Sequence, residues 1–190
     1  MDALRALRVL AVLVGLIVLT GSVGHAQQAP GQPEPPDACE ARPPTITGSG
    51  QIVGTDGDDV IHGSDLADTI DGGAGNDVIC GFDGNDTISG GDGNDFIMGG
   101  DEDDTLSGGP GDDEVRGGEG QDTIRGDAGA DTLRGGEAVD SLDGGDGNDD
   151  LGGGDDDDML AGGPGTDICD GADGRADTAA ADCEQVDDVP

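Results

Sequence analysis

Residues 72–98 read GGAGNDVIC, GFDGNDTIS and GGDGNDFIM, three nine-residue units that follow one another without an insertion. Counted in nines from Gly54, thirteen consecutive units end at Asp170. Position one is glycine in every unit, and position eight is Ile, Leu or Val until the last unit, where it is Cys169. A phase kept over this length indicates a repeat architecture. Position six is always aspartate: Asp59, Asp68, Asp77, Asp86, Asp95, Asp104, Asp113, Asp122, Asp131, Asp140, Asp149, Asp158 and Asp167.

Each unit divides into a turn and a short strand. Positions one to six are rich in glycine, which adopts positive φ and allows tight bends of the backbone. Positions seven to nine point outward, inward and outward, so only position eight faces a core. Because one aliphatic side chain cannot bury itself, the units must stack to build a continuous core. The sequence therefore predicts an all-β fold, a flattened solenoid with two strands and 18 residues per coil.

The regular spacing of the aspartates along the sequence requires a counterion in the folded solenoid. The net charge is −37, which argues against nucleic acid or anionic membrane partners. Such a composition alone is typical of a disordered acidic chain, which would not keep the repeat phase. In the solenoid, aspartates 18 residues apart would stack ~4.8 Å apart and repel one another. Calcium suits such a site best because it accepts many carboxylate and carbonyl oxygens, whereas two histidines and four scattered cysteines suit zinc or copper poorly.

The units resemble the calcium-binding nonapeptide GGxGxDxUx of RTX proteins, which carry hemolysin-type calcium-binding repeats. The resemblance covers residues 54–170, and GGDGNDDLG (144–152) is among its best matches. It implies a right-handed parallel β-roll. In that roll each calcium ion is held by a position-six aspartate of one unit and by turn atoms of the unit two further on. The thirteen position-six aspartates are thus the candidate metal ligands, for at most about eleven ions.

Position four distinguishes the two edges of the predicted roll. We call the turns of the odd-numbered units the odd edge and those of the even-numbered units the even edge. If position four requires positive φ, non-glycine residues there are strained, and Leu66 most of all. We therefore expect a regular calcium ladder on the odd edge and a weaker, partly filled one on the even edge. Position four is glycine in all odd units, whereas the even units read Leu66, Gly84, Glu102, Gly120, Ala138 and Asp156.

The N-terminal segment predicts export. Residues 1–26 carry Arg5 and Arg8, then a short apolar run over 9–19 and small residues before a cleavage site after Ala26. An uncleaved anchor is the alternative, but the run is short for a membrane span. We interpret 1–26 as a signal peptide and 27–53 as a proline-rich leader and N-terminal cap, followed by the repeats (54–170) and a C-terminal cap and tail (171–190). The mature chain is expected to be secreted and extracellular, with no membrane span.

Four cysteines in an exported chain suggest disulfides, with free thiols as the alternative. Cys80 and Cys169 lie five coils apart, ~24 Å, which excludes pairing them if the roll is right. The scheme we expect joins Cys39 to Cys80 and Cys169 to Cys183, which staples each flanking segment to its end of the roll. In GADGRADTA (171–179), Asp177 falls one place late, so this segment is expected to cover the last coil rather than bind ions.

The function we favour is that of a secreted, non-catalytic and monomeric protein that folds when it binds extracellular calcium ions, with a structural, surface or adhesion role. One alternative is ice binding by an outward ladder at position seven of the even units, although threonine also simply favours exposed strands. The other is a polysaccharide-acting enzyme that uses paired carboxylates, although neither a basic cluster nor an aromatic platform supports it. The ladder comprises Thr69, Thr87, Thr105 and Thr123, followed by Ser141.

Overall fold

Two parallel sheets form the roll in this computed structural model, which describes residues 38–172, 174, 177–179 and 182–187. Within that part of the chain, one sheet has nine strands and the other has eight. The nine-stranded sheet contains β1 (Ile46–Thr47), β3 (Val60–His62), β5 (Val78–Asp83), β7 (Phe96–Asp101), β9 (Glu114–Glu119), β11 (Thr132–Glu137), β13 (Asp150–Gly154), β15 (Asp167–Ala172) and β17 (Cys183–Asp187). The eight-stranded sheet contains β2 (Gln51–Val53), β4 (Thr69–Ala74), β6 (Thr87–Asp92), β8 (Thr105–Pro110), β10 (Thr123–Gly129), β12 (Ser141–Gly147), β14 (Met159–Ala161) and β16 (Thr178–Ala179).

Successive strands alternate between the two sheets, and each strand pairs in parallel with the strand one coil away. Within the repeats the register advances by one coil of two units, as in the pairs Ile61↔Ile79 and Thr69↔Thr87. The predicted parallel β-roll with 18 residues per coil is confirmed. Its right-handed winding stays a prediction. Two strands, β1 and β2, precede Gly54, so strand pairing begins at Ile46.

The core is a pair of aliphatic rows between the sheets, filled by position eight of each unit. Each of these side chains is at most 5% exposed, and the row begins one unit early, at Ile52. Burial of these side chains drives the coils to stack, because a single unit has nothing else to cover its one apolar residue. The core residues are Ile52, Ile61, Ile70, Ile79, Ile88, Ile97, Leu106, Val115, Ile124, Leu133, Leu142, Leu151, Leu160 and Cys169.

The strands are longer than the three residues that the sequence pattern predicts. A typical strand such as β8 runs over six residues and includes positions one to three of the next unit. Position one, Gly108 in this strand, is buried like position eight. Glycine at this position has no Cβ, so the ladder between coils continues beyond position nine before the chain turns.

The Cys39–Cys80 disulfide holds the N-terminal segment against the outside of the nine-stranded sheet. Helix α1 (Ala38–Ala41) carries Cys39, which packs with Val78 and Cys80 in a small second core. Cys80 is at position nine and points outward, so this disulfide lies on a flat face of the roll. We expected it to lie at the end of the roll.

The Cys169–Cys183 disulfide joins β15 to β17 at the C-terminal end, as the sequence predicts. Cys183 packs partly buried against the main core, so this end of the roll has a cover over its last aliphatic row. No helix within the described residues has the length and apolar character needed to cross a membrane. The predicted signal peptide and residues 27–37 of the predicted leader lie outside the described residues.

Candidate metal sites in the turns

The position-six aspartates form two ladders of buried carboxylates, one along each edge of the roll. All thirteen are at most 8% exposed. In each ladder the backbone N–H of one aspartate donates to Oδ1 of the aspartate one coil later, as from Asp104 to Asp122 at 2.8 Å. The accepting carboxylates, with N···O distances of 2.7 to 2.9 Å, are those of Asp77, Asp86, Asp95, Asp104, Asp113, Asp122, Asp131, Asp140, Asp149, Asp158 and Asp167.

The second carboxylate oxygen, Oδ2, is buried without a hydrogen-bond partner in most of these aspartates. Such an oxygen costs free energy unless a donor or a cation satisfies it. Because the same arrangement recurs coil after coil, it is a property of the repeat. Among the described residues, it occurs at Asp77, Asp86, Asp95, Asp104, Asp113, Asp122, Asp131, Asp140, Asp149 and Asp158.

A backbone carbonyl oxygen converges on the same place. A Cβ atom placed on the position-one glycine of a unit would lie under 3.0 Å from Oδ2 of that unit's aspartate and from the carbonyl oxygen of the position-one glycine one coil later. Carboxylate and carbonyl oxygens are the ligands that calcium prefers, at 2.3–2.6 Å. The donor set therefore fits calcium. The arrangement occurs at Gly63, Gly72, Gly81, Gly90, Gly99, Gly117, Gly126, Gly135 and Gly144.

No cluster of three or more His, Cys, Asp or Glu side chains suited to a metal occurs in the described residues. An ion between coils would therefore depend on backbone oxygens as much as on carboxylates. This is the arrangement that glycine-rich turns favour, because their carbonyl groups are not shielded by side chains.

Burial raises the pKa of the ten ladder carboxyls from Asp77 to Asp158. The largest cause is desolvation of the charged form, and the N–H that donates to Oδ1 offsets part of it. Carboxylates of the adjacent coils raise the pKa further in several cases, as Asp86 does for Asp104. A cation beside Oδ2 would instead favour the charged form. The pKa is raised to about 6 at Asp77, Asp86, Asp131 and Asp158, and to about 7 at Asp104, Asp113, Asp122 and Asp140.

The first two aspartates, Asp59 and Asp68, differ from the rest. Oδ2 of Asp59 accepts hydrogen bonds from the N–H and the hydroxyl of Thr55, and its Oδ1 accepts one from Thr45. The Thr55 hydroxyl is the main reason why the pKa of Asp59 is lowered. Oδ2 of Asp68 accepts two bonds from Ser64, each shorter than 3 Å. In both carboxylates Oδ2 thus has hydrogen-bond partners within the protein, unlike Oδ2 of the later aspartates.

Two turn positions adopt positive φ in the repeats, position four as expected and also position two. Glu102, Ala138 and Asp156 adopt φ between 72° and 76° at position four of the even edge. Left-handed backbone costs such residues roughly 1–2 kcal/mol each. Leu66, expected to be the most strained, does not have positive φ, so that prediction is wrong. The first coil has a different turn, in which Ser64 replaces the glycine of position two.

The carboxylate ladder itself does not distinguish the two edges. Asp104, Asp122 and Asp140 on the even edge are as buried as the aspartates of the odd edge and have the same partnerless Oδ2. Uneven filling of the two edges with calcium therefore stays a prediction. Its remaining basis is the strain of the non-glycine residues at position four.

A second ladder at position five was missed by the sequence analysis. Side-chain oxygens at this position accept the backbone N–H of position five one coil later. On the odd edge they run without a break from Asp58 through Asn76 and Asn94 to Asp112, which accepts from Ala130. The signal was present in the sequence, since Asn or Asp precedes eight of the thirteen position-six aspartates.

A fourteenth aspartate, which the sequence analysis set aside as out of phase, joins the ladder. Asp177 is 4% exposed and continues the even-edge ladder, since its Oδ1 accepts the N–H of Asp158 at 3.0 Å. The position-six frame did not include it because one extra residue precedes it. The signal for it was the restored order of Asp177, Thr178 and Ala179, which matches positions six to eight of a unit.

The roll is parallel, and its glycine-rich turns contain buried carboxylates. These features are typical of a metal-binding solenoid. A family model described as the RTX calcium-binding nonapeptide repeat (4 copies) matches residues 46–79, 53–88, 81–115, 116–151 and 143–175. These matches cover more than half of the chain, so it belongs to this family of calcium-binding repeat proteins. A comparison with curated proteins finds no match.

Proposed function

We propose that the chain is a secreted, non-catalytic protein whose roll folds when calcium ions bind between its coils. The observation that carries this proposal is the series of buried Oδ2 atoms without a hydrogen-bond partner. In most of these units a backbone carbonyl oxygen lies close to Oδ2. Bound calcium would supply positive charge and coordination to these oxygens. Ion-binding free energy then becomes folding free energy, because the unfolded chain has no assembled site.

The proposed ligands are the position-six aspartates from Asp77 to Asp167, together with turn carbonyl groups. Asp59 and Asp68 are left out because Thr55, Thr45 and Ser64 already satisfy them. We propose that this first coil closes without calcium and provides a template for the coils that follow. The number of ions expected is therefore below the eleven that the repeat count allows.

Charge explains why folding would depend on the ions. The chain carries 44 acidic against 7 basic side chains, and its core has one aliphatic residue per unit. Without cations, stacking brings carboxylates of adjacent coils together in a desolvated site. Calcium in the extracellular medium removes this repulsion. The disulfides and the predicted signal peptide agree with secretion.

The biological role that we propose is structural, as a monomeric rod at the cell surface or in the surrounding matrix, where it acts as a spacer or in adhesion. The roll presents flat sheet faces, and the net charge keeps it soluble. A binding assay against surface polysaccharides and whole cells would test this role.

Calcium-driven folding is tested by far-UV circular dichroism of residues 27–190. The spectrum is recorded with chelator, then during titration with calcium, and with magnesium at equal concentration as the control. A change from coil to β-structure with calcium alone supports the proposal, because magnesium demands stricter octahedral geometry. A full β-signal in chelator would overturn it.

Ice binding remains the second candidate because the threonine ladder is in register. Thr69, Thr87, Thr105 and Thr123 pair in succession along the eight-stranded sheet, and all four are exposed. Against it, position nine on the same face includes charged residues such as Asp71 and Arg125. Thermal hysteresis in the calcium-loaded protein would favour ice binding.

An enzyme acting on polysaccharides is the third candidate. A groove of 420 Å³ lies along the odd edge, lined by Asp77, Asp95 and Asp113 together with Arg42. The three aspartates are the same ones that we assign to calcium, which leaves them unsuited to acid–base catalysis. Cleavage of uronate or neutral polysaccharides in a substrate screen would favour the enzyme.

A further inference from the structure

The C-terminal end of the even edge continues past the last regular repeat with one extra residue. Strand β14 pairs with β16 through Met159↔Thr178 and Leu160↔Ala179. Earlier strands of this sheet pair residues one coil of two units apart, as in Leu142↔Leu160, whereas these two pairs include one residue more. Thr178 and Ala179 therefore pair as positions seven and eight of a unit do, although one extra residue precedes Asp177 in the sequence.

The carboxylate of Asp177 occupies the same kind of position as those of the repeats. It is 4% exposed, its Oδ1 accepts the N–H of Asp158 at 3.0 Å, and its Oδ2 is buried without a hydrogen-bond partner. Oδ2 of Asp158 is likewise buried without a partner. Two adjacent coils thus each present one oxygen that the described residues leave unsatisfied.

Gly171 and Ala172, which precede Asp177, repeat two features of the regular units. A Cβ on Gly171 would lie 2.5 Å from Oδ2 of Asp177, as a Cβ on Gly153 would crowd Asp158. Ala172 has φ of 61°, at the place of position two, where the repeats have positive φ. Only glycine fits at 171 without displacing the carboxylate. Gly171 and Ala172 thus match positions one and two of a regular unit.

We propose that Asp158 and Asp177 hold a further calcium ion at the C-terminal end of the even edge. This site lies beyond the thirteen position-six aspartates, and Asp177 lies beyond the residues that the family model matches. The inference rests on the proposed calcium function and extends it. The ion closes the last coil of the even edge, and the Cys169–Cys183 disulfide closes the last coil of the other sheet.

The test compares Asp177→Asn with Asp182→Asn in the full chain, expressed with export so that its disulfides form. Asp182 is exposed and five residues further on, so it controls for the loss of one charge in this segment. Asn keeps a side-chain oxygen that accepts the N–H of Asp158, so the coil can close without the ion. Calcium bound per chain is measured by equilibrium dialysis with metal analysis, and hydrogen–deuterium exchange follows the peptide over 171–187.

The expected result is the loss of one calcium ion per chain in Asp177→Asn alone. Exchange over 171–187 should rise while exchange over 72–152 is unchanged. Equal calcium counts in both variants and the unaltered chain would overturn this site and leave the proposed function intact. Loss of several ions together with the β-signal would also overturn it, because Asp177 would then be needed for the whole roll. An unaltered chain without bound calcium would overturn the proposed function as well.

Discussion

Gly117→Ala tests whether position one must be free of a side chain so that the turn can hold its ligands. Gly117 does not have positive φ, so alanine there is free of backbone strain. Its Cβ, however, would lie under 3.0 Å from Oδ2 of Asp122 and 2.7 Å from the carbonyl oxygen of Gly135. The close approach to Gly135 falls about 0.6 Å short of an ordinary C···O contact of roughly 3.3 Å.

The expected cost follows from this overlap. Overpacking of a tight site costs about 1–3 kcal/mol, and each kcal/mol lowers Tm by about 2–4 °C in a chain of this size. Gly117→Ala should therefore lower Tm in saturating calcium by about 2–12 °C, measured by circular dichroism. It should also lower bound calcium, because the methyl group enters the space between the carboxylate and the carbonyl group that we assign to the ion.

Gly57→Ala is the matched control. Gly57 also lacks positive φ, and a Cβ there would have no neighbour within 4 Å. Its Tm and calcium content should equal those of the unaltered chain. If Gly117→Ala is as stable as Gly57→Ala and binds as much calcium, the reasoning about position one is refuted.

Two further predictions concern the carboxylates. In chelator, the chain should show more β-structure at pH 5 than at pH 8, by circular dichroism. The pKa of Asp104, Asp113 and Asp122 is raised from 3.8 to about 7, so the folded roll binds more protons than the unfolded chain. The stability that these protons contribute is full below pH 3.8 and is lost as the pH rises through about 7. An unchanged or weaker β-signal at pH 5 would contradict this prediction. Asp86→Asn should lower the number of bound calcium ions by one. Asp68→Asn should leave that number unchanged, because Ser64 already donates two hydrogen bonds to the Asp68 carboxylate. Equal losses in the two variants would show that the first coil also binds calcium.

The nine-residue phase was sufficient to predict the fold. It places one aliphatic residue per unit inward, and Ile79 and Leu133 fill the core as their position eight requires. The phase also predicts that Asp77 and Asp95 stack, because any strict repeat places equivalent residues one above the other. The same geometry excluded a Cys80–Cys169 disulfide, and the expected pairs, Cys39–Cys80 and Cys169–Cys183, are present.

The hydrogen-bond partners of individual carboxylates and the backbone conformation of individual turns were not predictable from the repeat phase. The role of Oδ1 as an acceptor for the previous coil required the backbone path of the turn. Thr55 and Ser64 satisfy the first carboxylates only because the first coil turns differently, which also leaves Leu66 without strain. Asp177 was set aside because a strict frame of nine does not allow for one extra residue, yet it accepts the N–H of Asp158 as a ladder aspartate does.

The most direct test of the calcium assignment is anomalous X-ray scattering from crystals grown in calcium. Anomalous peaks are expected inside the turns, within about 2.6 Å of Oδ2 of buried aspartates such as Asp113 and Asp122. Peaks confined to exposed carboxylates such as Asp155 and Asp156, with the buried Oδ2 atoms bound to water or protonated, would contradict it.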